Sequence, residues 1–565
     1  MTVTVRGRAR SRGARVVLLR CLTTRCAGTE RRVVTTRVIR RGRSRLAMRL
    51  RSKVLGLVRV ELRSGRRTLG AVRLRPAARR PGGTPSPSPS PAPAAADETA
   101  VPTPEPPARG FSLSVTPELT PAYAPGVTDH TLRCDGESSV TVEAVVPEPQ
   151  TLAIDGASPT SGNVRRGIEL EPGQGFTFTV TDSGGPSTHH VRCVPGDFPV
   201  WETTRSGTPD VEWIAFAPSL GIGAAPYSIV ADDRGVPLWW MRAPSGLPID
   251  AKVLPDGTVA WARYLGVGGY SQTSYERFAL DGTPLGTLSP AGIGADHHDL
   301  QMLPGGNFLM LAYRAREHVD LSSMGGPEDA TVLDAEVHEV TPTGALVWSW
   351  NSADHIELEE TADWGLANTL SAYAGQPAYD VVHVNSVEQQ PDGTLLLSFR
   401  HLNAVYSIRR SDGGINWKLG GTTRPESLTV DGDPLAPALF GGQHDARQQP
   451  DGTISVHDNG TGRGRPERTV RYRIDASSRT ATLVEELSDA RVGESFCCGS
   501  SRRLPGGHWL MNWDTERMLS ELDARGSPVL TLRFVSGYSY RAQPVPSSAV
   551  DGTALRSGMD AMHPR

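Results

Sequence analysis

Short stretches of alternating apolar and polar residues, separated by tight turn signals, fill most of the chain beyond about residue 200. Five turns share a Pro followed by Asp-Gly or Gly-Gly, which favours the close reversal of a β-hairpin. A second hairpin follows each of these, so four predicted strands recur with a period of roughly fifty to sixty residues. The turns are LPDGT at 254–258, LPGGN at 303–307, QPDGT at 390–394, QPDGT at 449–453 and LPGGH at 504–508.

Four-stranded units with this period are typical of the blades of a β-propeller. A solenoid shares the periodicity, but the four-strand unit favours a closed ring. A sixth unit is indicated near 211–241, and the segment near 538–546 is expected to close the ring with it. The acidic, helical sequence over 352–375 predicts an insertion on one face. We therefore predict an all-β fold with a six-bladed propeller over 201–545 and a C-terminal tail over 546–565.

The N-terminal part predicts one or two small β-sandwich domains ahead of the propeller. Residues 1–78 alternate Arg with Val or Leu, which is typical of the strands of an Arg-rich sandwich-like domain. Residues 79–110 are rich in Pro and indicate an extended linker. Residues 111–200 return to short β stretches. A disulfide between Cys134 and Cys193 would tie this second sandwich together.

Charge and cysteine content narrow the functional classes. The net charge of -2 argues against nucleic acid as a partner of the whole molecule. The basic N-terminal segment could bind nucleic acid or a membrane, but Arg-rich strands are the simpler interpretation. The six cysteines lack zinc-site spacing, and their even number favours an oxidising compartment. They fall into the pairs Cys21/Cys26, Cys134/Cys193 and Cys497-Cys498.

We therefore expect an extracytoplasmic location, either secreted or at the cell surface. Residues 1–30 lack the continuous apolar core of a secretion signal, so we infer that the N-terminus is truncated or mis-started. No stretch reaches the roughly 18 apolar residues of a membrane span. The sequence leaves the oligomeric state open.

Three units place a histidine at the start of their innermost strand: His298, His383 and His444. Equivalent positions of propeller blades meet around the central channel, so these side chains predict one shared site. Asn385 follows His383 by two residues. Arg400 ends the next strand, and Arg314 holds the analogous place one blade earlier. The next unit carries Cys497-Cys498 at the histidine position.

Three histidines allow two chemistries. Imidazole binds zinc, copper or iron, but the blades could hold the rings too far apart. Asp299 and Asp445 follow two of the histidines, and strand alternation favours them as turn or orienting groups. Alternatively, a neutral imidazole attacks an electrophilic sulfur or phosphorus atom. Its neighbours then balance the anionic oxygens and protonate the leaving group.

Three segments resemble the bacterial arylsulfate sulfotransferases: HHDLQMLPGGN at 297–307, HVNSVEQQPDGTLLLSFRHLNAVYSI at 383–408 and GGQHDARQQPDGT at 441–453. The resemblance covers roughly residues 200–545. It implies a six-bladed propeller that moves a sulfuryl group from a phenolic sulfate ester to a phenol. The implied reaction is ping-pong, passes through a sulfated histidine, and uses no nucleotide sulfate donor, metal or other cofactor.

By motif position, the resemblance implies that His444 is the nucleophile. His298, His383, Asn385 and Arg400 would bind the sulfuryl oxygens and handle the phenol proton. His298 is preferred to its neighbour because His298-Asp299 repeats the His444-Asp445 pair. The implied partners are a small-molecule phenolic sulfate donor and a phenol acceptor. We expect the phenol ring to lie at the channel mouth near aromatic residues such as Trp239, Trp240 or Tyr406.

Two rival functions stay open. A non-catalytic propeller could bind a sulfated or glycan ligand for adhesion. A quinone-dependent oxidoreductase propeller could use a Cys497-Cys498 disulfide as a cofactor platform, although the Trp-docking repeats and calcium carboxylates of that family are not evident. The vicinal cysteines and the Arg-rich domain have no counterpart in the resemblance.

Overall fold

Strands make up nearly all of the regular structure. The computed structural model describes residues 110–134, 136, 138–265 and 273–565, together with six strands before residue 75. These strands are β1 (Thr2–Arg6), β2 (Arg15–Cys21), β3 (Arg31–Val38), β4 (Arg45–Arg49), β5 (Val58–Ser64) and β6 (Arg67–Leu74). Residues 1–105 and 106–565 form two units. In the first unit, β1 pairs with β4, and a four-stranded sheet has the order β3-β2-β5-β6. Cys26 and residues 79–109 of the predicted linker lie outside the described residues.

The second unit begins with a β-sandwich. Its strands are β7 (Ser112–Thr116), β8 (Asp129–Cys134), β9 (Ser138–Val146), β10 (Thr151–Ile154), β11 (Gly162–Leu170), β12 (Gly175–Asp182) and β13 (Gly185–Pro195). One sheet has the order β10-β12-β13-β8, and the facing sheet is β11-β9-β7. Alternate residues of β9 are buried between them, including Val140 and Val142. Cys134 and Cys193 form the predicted disulfide.

Six sheets follow as propeller blades, each with a core of four antiparallel strands, and the sheets of blades 3, 5 and 6 carry additional strands. The strand β14 (Trp201–Arg205) comes first and joins the outer edge of blade 6. Blade 1 contains β15 (Trp213–Phe216), β16 (Tyr227–Asp232) and β17 (Pro237–Arg242). Blade 2 contains β18 (Leu247–Val253), β19 (Val259–Tyr264), β20 (Tyr275–Phe278) and β21 (Pro284–Leu288). Blade 3 contains β22 (Ala295–Met302), β23 (Phe308–Val319), β24 (Ala330–Val340) and β25 (Leu346–Asn351).

The remaining blades complete the set. The insertion strands β26 (Leu370–Tyr373) and β27 (Gln376–Asp380) precede blade 4, which contains β28 (Val384–Gln389), β29 (Leu395–Phe399), β30 (Ala404–Ile408) and β31 (Ile415–Gly420). Blade 5 contains β33 (His444–Gln448), β34 (Ile454–Asp458), β35 (Arg468–Asp475) and β36 (Thr480–Leu487), with β32 (Thr429–Asp431) at its edge. Blade 6 contains β37 (Ser500–Arg503), β38 (Trp509–Trp513), β39 (Met518–Leu522) and β40 (Pro528–Phe534). The last strand is β41 (Ala542–Val545).

The innermost strands close into a ring around a central channel. In ring order they are β18, β22, β28, β33, β37 and β41, and each contacts the next. The strand β41 also contacts β18 and pairs with β15, so the end of the chain completes blade 1. The predicted six-bladed propeller is confirmed. The innermost strands of blades 2 to 6 all run toward their Pro-Gly turns, so their first residues share one end of the channel, the histidine end.

The predicted insertion lies between β25 and β28, at the histidine end. It contains short 3-10 turns at Ser352–Asp354 and Leu358–Asp363 and the helix α1 (Gly365–Thr369), followed by the β26–β27 hairpin. The buried carboxylate of Glu360 anchors it, because Tyr406 donates a 2.7 Å hydrogen bond to it and Lys418 forms an ion pair with it. This anchor fixes the insertion over blade 4.

The C-terminal tail contains the helix α2 (Gly552–Met562), which packs against β17 of blade 1. In the part of the chain that the structure describes, no helix is long and apolar enough to cross a membrane.

Candidate active site

A β-bulge directs the site residues into the channel. The innermost strands of blades 2 to 5 each shift pairing register near their start, and a bulge changes the direction of nearby side chains. His298 and Asp299 are consequently both buried in the channel instead of alternating. His383 and Asp445 have φ angles of 51° and 55°, a region that residues other than glycine rarely adopt.

Asp299 and Asp445, which were expected to be turn or orienting groups, pair with cations of other blades. Asp299 lies 2.6 Å from Arg447 of blade 5, and Asp445 lies 2.7 Å from Arg502 of blade 6. Arg541 reaches both carboxylates, at 3.2 and 3.6 Å. These contacts form a buried charged layer of three carboxylates and four cations: Asp250, Asp299, Asp445, Lys252, Arg447, Arg502 and Arg541. Each carboxylate of the layer contacts at least one of its cations.

His298, His383 and His444 converge at the histidine end of the channel. The ring centroids of His298 and His383 are 4.8 Å apart. The ring of Tyr540 contacts two of the three, at 5.7 Å from His298 and 6.4 Å from His444. All three histidines are buried or nearly so, and they are close enough to affect one another's charge.

The hydrogen bonds of His444 fix its tautomer. Nδ1 lies 3.0 Å from the carbonyl oxygen of Gly442 and 2.8 Å from Oδ1 of Asn459. The Asn459 amide cannot be reversed, because its Nδ2 donates to the carbonyl oxygens of Cys497 and Cys498 at 3.2 and 2.9 Å. Both partners of Nδ1 are therefore acceptors, and Nδ1 carries the proton. Nε2 accepts a 3.1 Å hydrogen bond from the backbone N–H of Cys498, so it holds the lone pair.

His298 and His383 have a different kind of partner. Nδ1 of His298 lies 2.5 Å from the carboxylate of Asp296, and Nδ1 of His383 lies 2.5 Å from that of Asp380. Each carboxylate also accepts the backbone N–H of its own histidine at 2.9 Å. A carboxylate on Nδ1 orients the ring, turns Nε2 away and stabilises the imidazolium form.

Burial and neighbouring positive charge favour the neutral forms of His444 and His383. Burial lowers the pKa of His444 well below its usual value, and Arg400 and His298 lower it further. Burial, His298 and Arg400 act in the same direction on the pKa of His383. Burial alone would raise the pKa of Asp296, but the adjacent histidines bring it down to about 2. In the free protein, His444 is thus a neutral imidazole and Asp296 is ionised.

Arg400 lies at the channel mouth between two aromatic rings. Its guanidinium carbon is 4.2 Å from the ring centroid of Trp364 in the insertion and 5.2 Å from that of Phe496. It also donates a hydrogen bond to the carbonyl oxygen of Phe496. Arg400 is only 4% exposed, whereas Phe496 is 72% exposed, more than any other large apolar side chain in the described residues. An exposed aromatic ring beside a buried cation is a feature of binding sites.

Two other predicted positions behave differently. Asn385 is fully buried, and its Nδ2 donates a 2.7 Å hydrogen bond to the carbonyl oxygen of Gln443. It thereby holds the backbone just before His444. Arg314 points outward, with a side chain that is 55% exposed and paired with Glu336. It does not join the site.

The aromatic residues expected near the phenol lie elsewhere. Trp239 and Trp240 are buried in the hydrophobic core around blade 1, and Tyr406 is buried in the core between blades 3 and 4. That expectation is wrong, because their alternating strand positions face neighbouring blades and not the channel. The aromatic side chains at the histidine end are Trp364, Phe496, Tyr264 and Tyr540.

Sequence reasoning missed Asn459, Tyr540, Trp364 and Phe496 as site residues. Asn459 directly follows β34, a place that the repeat pattern does not single out. Tyr540 lies in the segment interpreted only as ring closure, and Trp364 lies in the insertion. Of these four residues, only Phe496 is marked by the sequence, because it directly precedes the unusual Cys497-Cys498 pair.

Two groups of site residues have the composition of a cation site. They are Asp296 with His297 and His298, and Asp380 with His383 and His401. In each group the Asp is also the hydrogen-bond partner of a histidine Nδ1 or of a backbone N–H. The geometry therefore matches histidine-orienting carboxylates, which serve proton transfer without requiring an ion.

Cys497 and Cys498 form a disulfide between adjacent residues. The backbone of this pair, and not its sulfur atoms, makes the contacts with His444 and Asn459. Sγ of Cys497 lies 3.6 Å from the carboxylate of Asp514. These contacts do not bear on the alternative in which the disulfide is a cofactor platform.

Residues 283–535 match the family model described as arylsulfotransferase (ASST). This stretch contains all five predicted site residues and both members of the vicinal disulfide. No curated protein matches the chain.

Several solved structures are similar to this chain at low identity. A protein of unknown function from Bacteroides caccae is 12% identical, with 59% of this chain and 99% of that chain covered at a TM-score of 0.36. A catalytically inactive virginiamycin B lyase from Staphylococcus aureus, solved with quinupristin, is 9% identical over 59% and 88%, at 0.31. A streptogramin B lyase is 12% identical over 75% and 98%, at 0.30. At such TM-scores these likenesses carry no argument, and the propeller is assigned from its own sheets.

Proposed function

This chain belongs to the arylsulfotransferase family, and from that premise we propose that it transfers a sulfuryl group between phenols through a sulfated His444. The donor is a phenolic sulfate ester and the acceptor is a second phenol. The observation that carries the proposal is the tautomer of His444. Two hydrogen bonds place the proton of the neutral ring on Nδ1, so the lone pair is on Nε2, where it accepts the Cys498 N–H in the free protein close to the other histidines and Arg400.

In the first half-reaction, the Nε2 lone pair of His444 attacks the sulfur atom of the donor. The N–S bond forms as the bond from sulfur to the phenolic oxygen breaks, and the electron pair of that bond leaves with the oxygen. His298 or His383 donates a proton from Nε2 to this oxygen, so that a neutral phenol departs. The negative charge of the bound sulfate favours the protonated form of the carboxylate-paired histidines, which lets them hold that proton.

In the second half-reaction, the acceptor phenol returns the proton to the same carboxylate-paired histidines. Its oxygen attacks the sulfur of the sulfated imidazole, and the N–S electron pair goes back to Nε2 of His444. Arg400 stabilises the sulfuryl oxygens throughout. Asn385 acts indirectly, since its hydrogen bond to Gln443 holds the strand that carries His444. The cycle uses no nucleotide sulfate donor and no cofactor.

The phenol ring is proposed to bind at the channel mouth beside Trp364 and Phe496. Both rings flank Arg400, so an aryl sulfate can place its anionic group on the guanidinium and its ring against the aromatic side chains. An extracytoplasmic location is proposed as well, because Cys134–Cys193 and Cys497–Cys498 are both disulfide-bonded.

The test uses 4-nitrophenyl sulfate with and without an acceptor phenol. Without acceptor, we expect a burst of one nitrophenol per protein, because the sulfuryl group stays on His444. With acceptor, release becomes continuous and the acceptor sulfate accumulates in equal amount. Saturable binding of the donor without any burst would instead support a ligand-binding propeller.

The matched variants are His444→Ala and His318→Ala. The first removes the proposed nucleophile and is expected to abolish both the burst and turnover. His318 lies far out on β23 with its side chain 82% exposed, so its loss should leave both unchanged. Equal activity of the two variants would overturn the assignment of His444.

A further inference from the structure

The segment that carries the vicinal disulfide is fixed by the site itself. Asn459 donates to the carbonyl oxygens of both cysteines, and Arg400 donates to that of Phe496 just before them. On the other side, the N–H of Gly499 donates to the carbonyl oxygen of Tyr540 at 3.0 Å. Three residues that line the histidine end therefore hold this one loop.

Cys498 has a backbone conformation that needs an explanation. Its φ is 70°, in a region that side-chain-bearing residues rarely adopt because it is strained. Such a conformation persists only where the surroundings determine it. The disulfide closes a small ring that contains the peptide bond between Cys497 and Cys498, and this ring restricts the rotation of both residues. The consequence of the conformation is the direction of the Cys498 N–H, which points at Nε2 of His444.

We propose that the Cys497–Cys498 disulfide positions the Cys498 N–H to serve the sulfuryl transfer itself. In the free protein this N–H donates to Nε2, the atom that attacks. When the N–S bond forms, the Nε2 lone pair is used up and can no longer accept. The sulfur then takes the position on Nε2 that this N–H occupied in the free protein, so the N–H turns to one of the sulfuryl oxygens bonded to that sulfur. The hydrogen bond moves from the nucleophile to the oxygen, so it is strongest where the charge develops.

This inference rests on the proposed function and adds a positioning role for a pair of residues outside its histidine and arginine set. A preorganised donor to a transferring oxyanion is worth about 10²–10³ in rate when it is lost completely. Breaking the disulfide leaves the N–H in place but no longer fixed, so the expected loss is smaller, about tenfold. It should appear in the rate of the burst and not in donor binding.

The experiment measures the burst of nitrophenol by rapid mixing of 4-nitrophenyl sulfate with the full chain. The double variant Cys497→Ser, Cys498→Ser is expected to have a burst rate constant about tenfold below wild type, with KM changed less than about twofold. Wild type treated with dithiothreitol should slow by the same factor. Dithiothreitol supplies two electrons and two protons, both cysteines become thiols, and the reagent closes to its cyclic disulfide. Reoxidation should restore the burst.

Two controls separate positioning from general stabilisation. The double variant Cys134→Ala, Cys193→Ala lacks the sandwich disulfide and should remain sensitive to dithiothreitol, whereas the serine variant should not respond. The pair Cys497→Ala, Cys498→Gly should burst faster than Cys497→Ala, Cys498→Ala, because glycine adopts a positive φ at little cost.

Three results would overturn the inference. One is an equal burst rate in oxidised wild type and the serine variant. Another is a dithiothreitol effect that persists in the serine variant, and the third is no advantage for the glycine pair. If the serine variant does not fold, the reduction and reoxidation of wild type decide the question. Absence of any burst in wild type would count against the proposed function and not against the disulfide alone.

Discussion

The histidines of blades 3 and 4 differ from the histidine of blade 5 in one respect, the group that accepts the Nδ1 proton. For His298 and His383 that group is a carboxylate, whereas for His444 it is the side-chain amide of Asn459 together with a backbone carbonyl. A carboxylate stabilises the imidazolium form, and an amide only orients the neutral ring. We propose that the same side chain at the same place in three blades thereby serves two tasks, proton transfer and nucleophilic attack.

The largest effect is expected from removing the nucleophile. His444→Gln keeps a polar side chain of similar reach but no imidazole, so kcat should fall by at least about 10⁴. Measurement of acceptor sulfate by mass spectrometry would detect even slow residual transfer. Residual activity within about tenfold of wild type would mean that one of the carboxylate-paired histidines attacks instead.

Neutralising a carboxylate partner should have the next largest effect. Asp296→Asn or Asp380→Asn removes the charge that stabilises the imidazolium of His298 or His383, and we expect kcat to fall about 10²-fold. The loss should be greater with phenyl sulfate than with 4-nitrophenyl sulfate, because the poorer leaving group needs the proton more. Equal losses with both donors would contradict the assignment of proton transfer to these two histidines.

Removing the positive charge of Arg400 should raise the pKa of His444 and shift the pH profile of kcat/KM. His444 must be neutral to attack, and its pKa lies well below its usual value, so kcat/KM should be flat near neutral pH and fall only in more acidic solution. Arg400→Gln removes a positive charge that lowers this pKa, so the pKa rises and the acidic fall begins at higher pH. The matched control is Arg314→Gln on the outside of blade 3, which should leave the profile in place.

The smallest effect concerns the aryl ring at the channel mouth. Phe496→Ala removes a mostly exposed ring, so folding should be unaffected while KM for the aryl donor rises several-fold, corresponding to about 1 kcal/mol. The value of kcat should stay within about twofold. Phe496→Leu keeps an apolar side chain without an aromatic face, so its KM should lie between those of wild type and Phe496→Ala. An unchanged KM would remove Phe496 from the donor subsite.

The repeat pattern was sufficient to predict the propeller and to select His298, His383 and His444. Their common register at the start of an innermost strand needs no tertiary information beyond the ring. The partners that distinguish the three histidines were not predictable in the same way. Asn459 follows β34, fifteen residues beyond His444, and nothing local marks it.

The charged layer and the aromatic residues of the channel mouth were also not predictable from the strand pattern. Strand alternation indicated only that Asp299 and Asp445 are turn or orienting groups, and their cation partners come from other blades. The rule that aromatic residues near a predicted channel bind the ligand selected Trp239 and Tyr406. Those residues pack between blades, while the rings at the mouth come from an insertion and a loop, where periodicity gives no signal.

The most direct measurement of the central claim is the covalent state of His444 after one half-reaction. The protein is mixed with 4-nitrophenyl sulfate in the absence of acceptor, quenched at alkaline pH and digested, and the peptide that contains His444 is sequenced by mass spectrometry. We predict one sulfuryl group on the imidazole of His444, which disappears when an acceptor phenol is added before the quench. A burst of nitrophenol with the sulfuryl group on His298 or His383, or on no residue at all, would contradict the account.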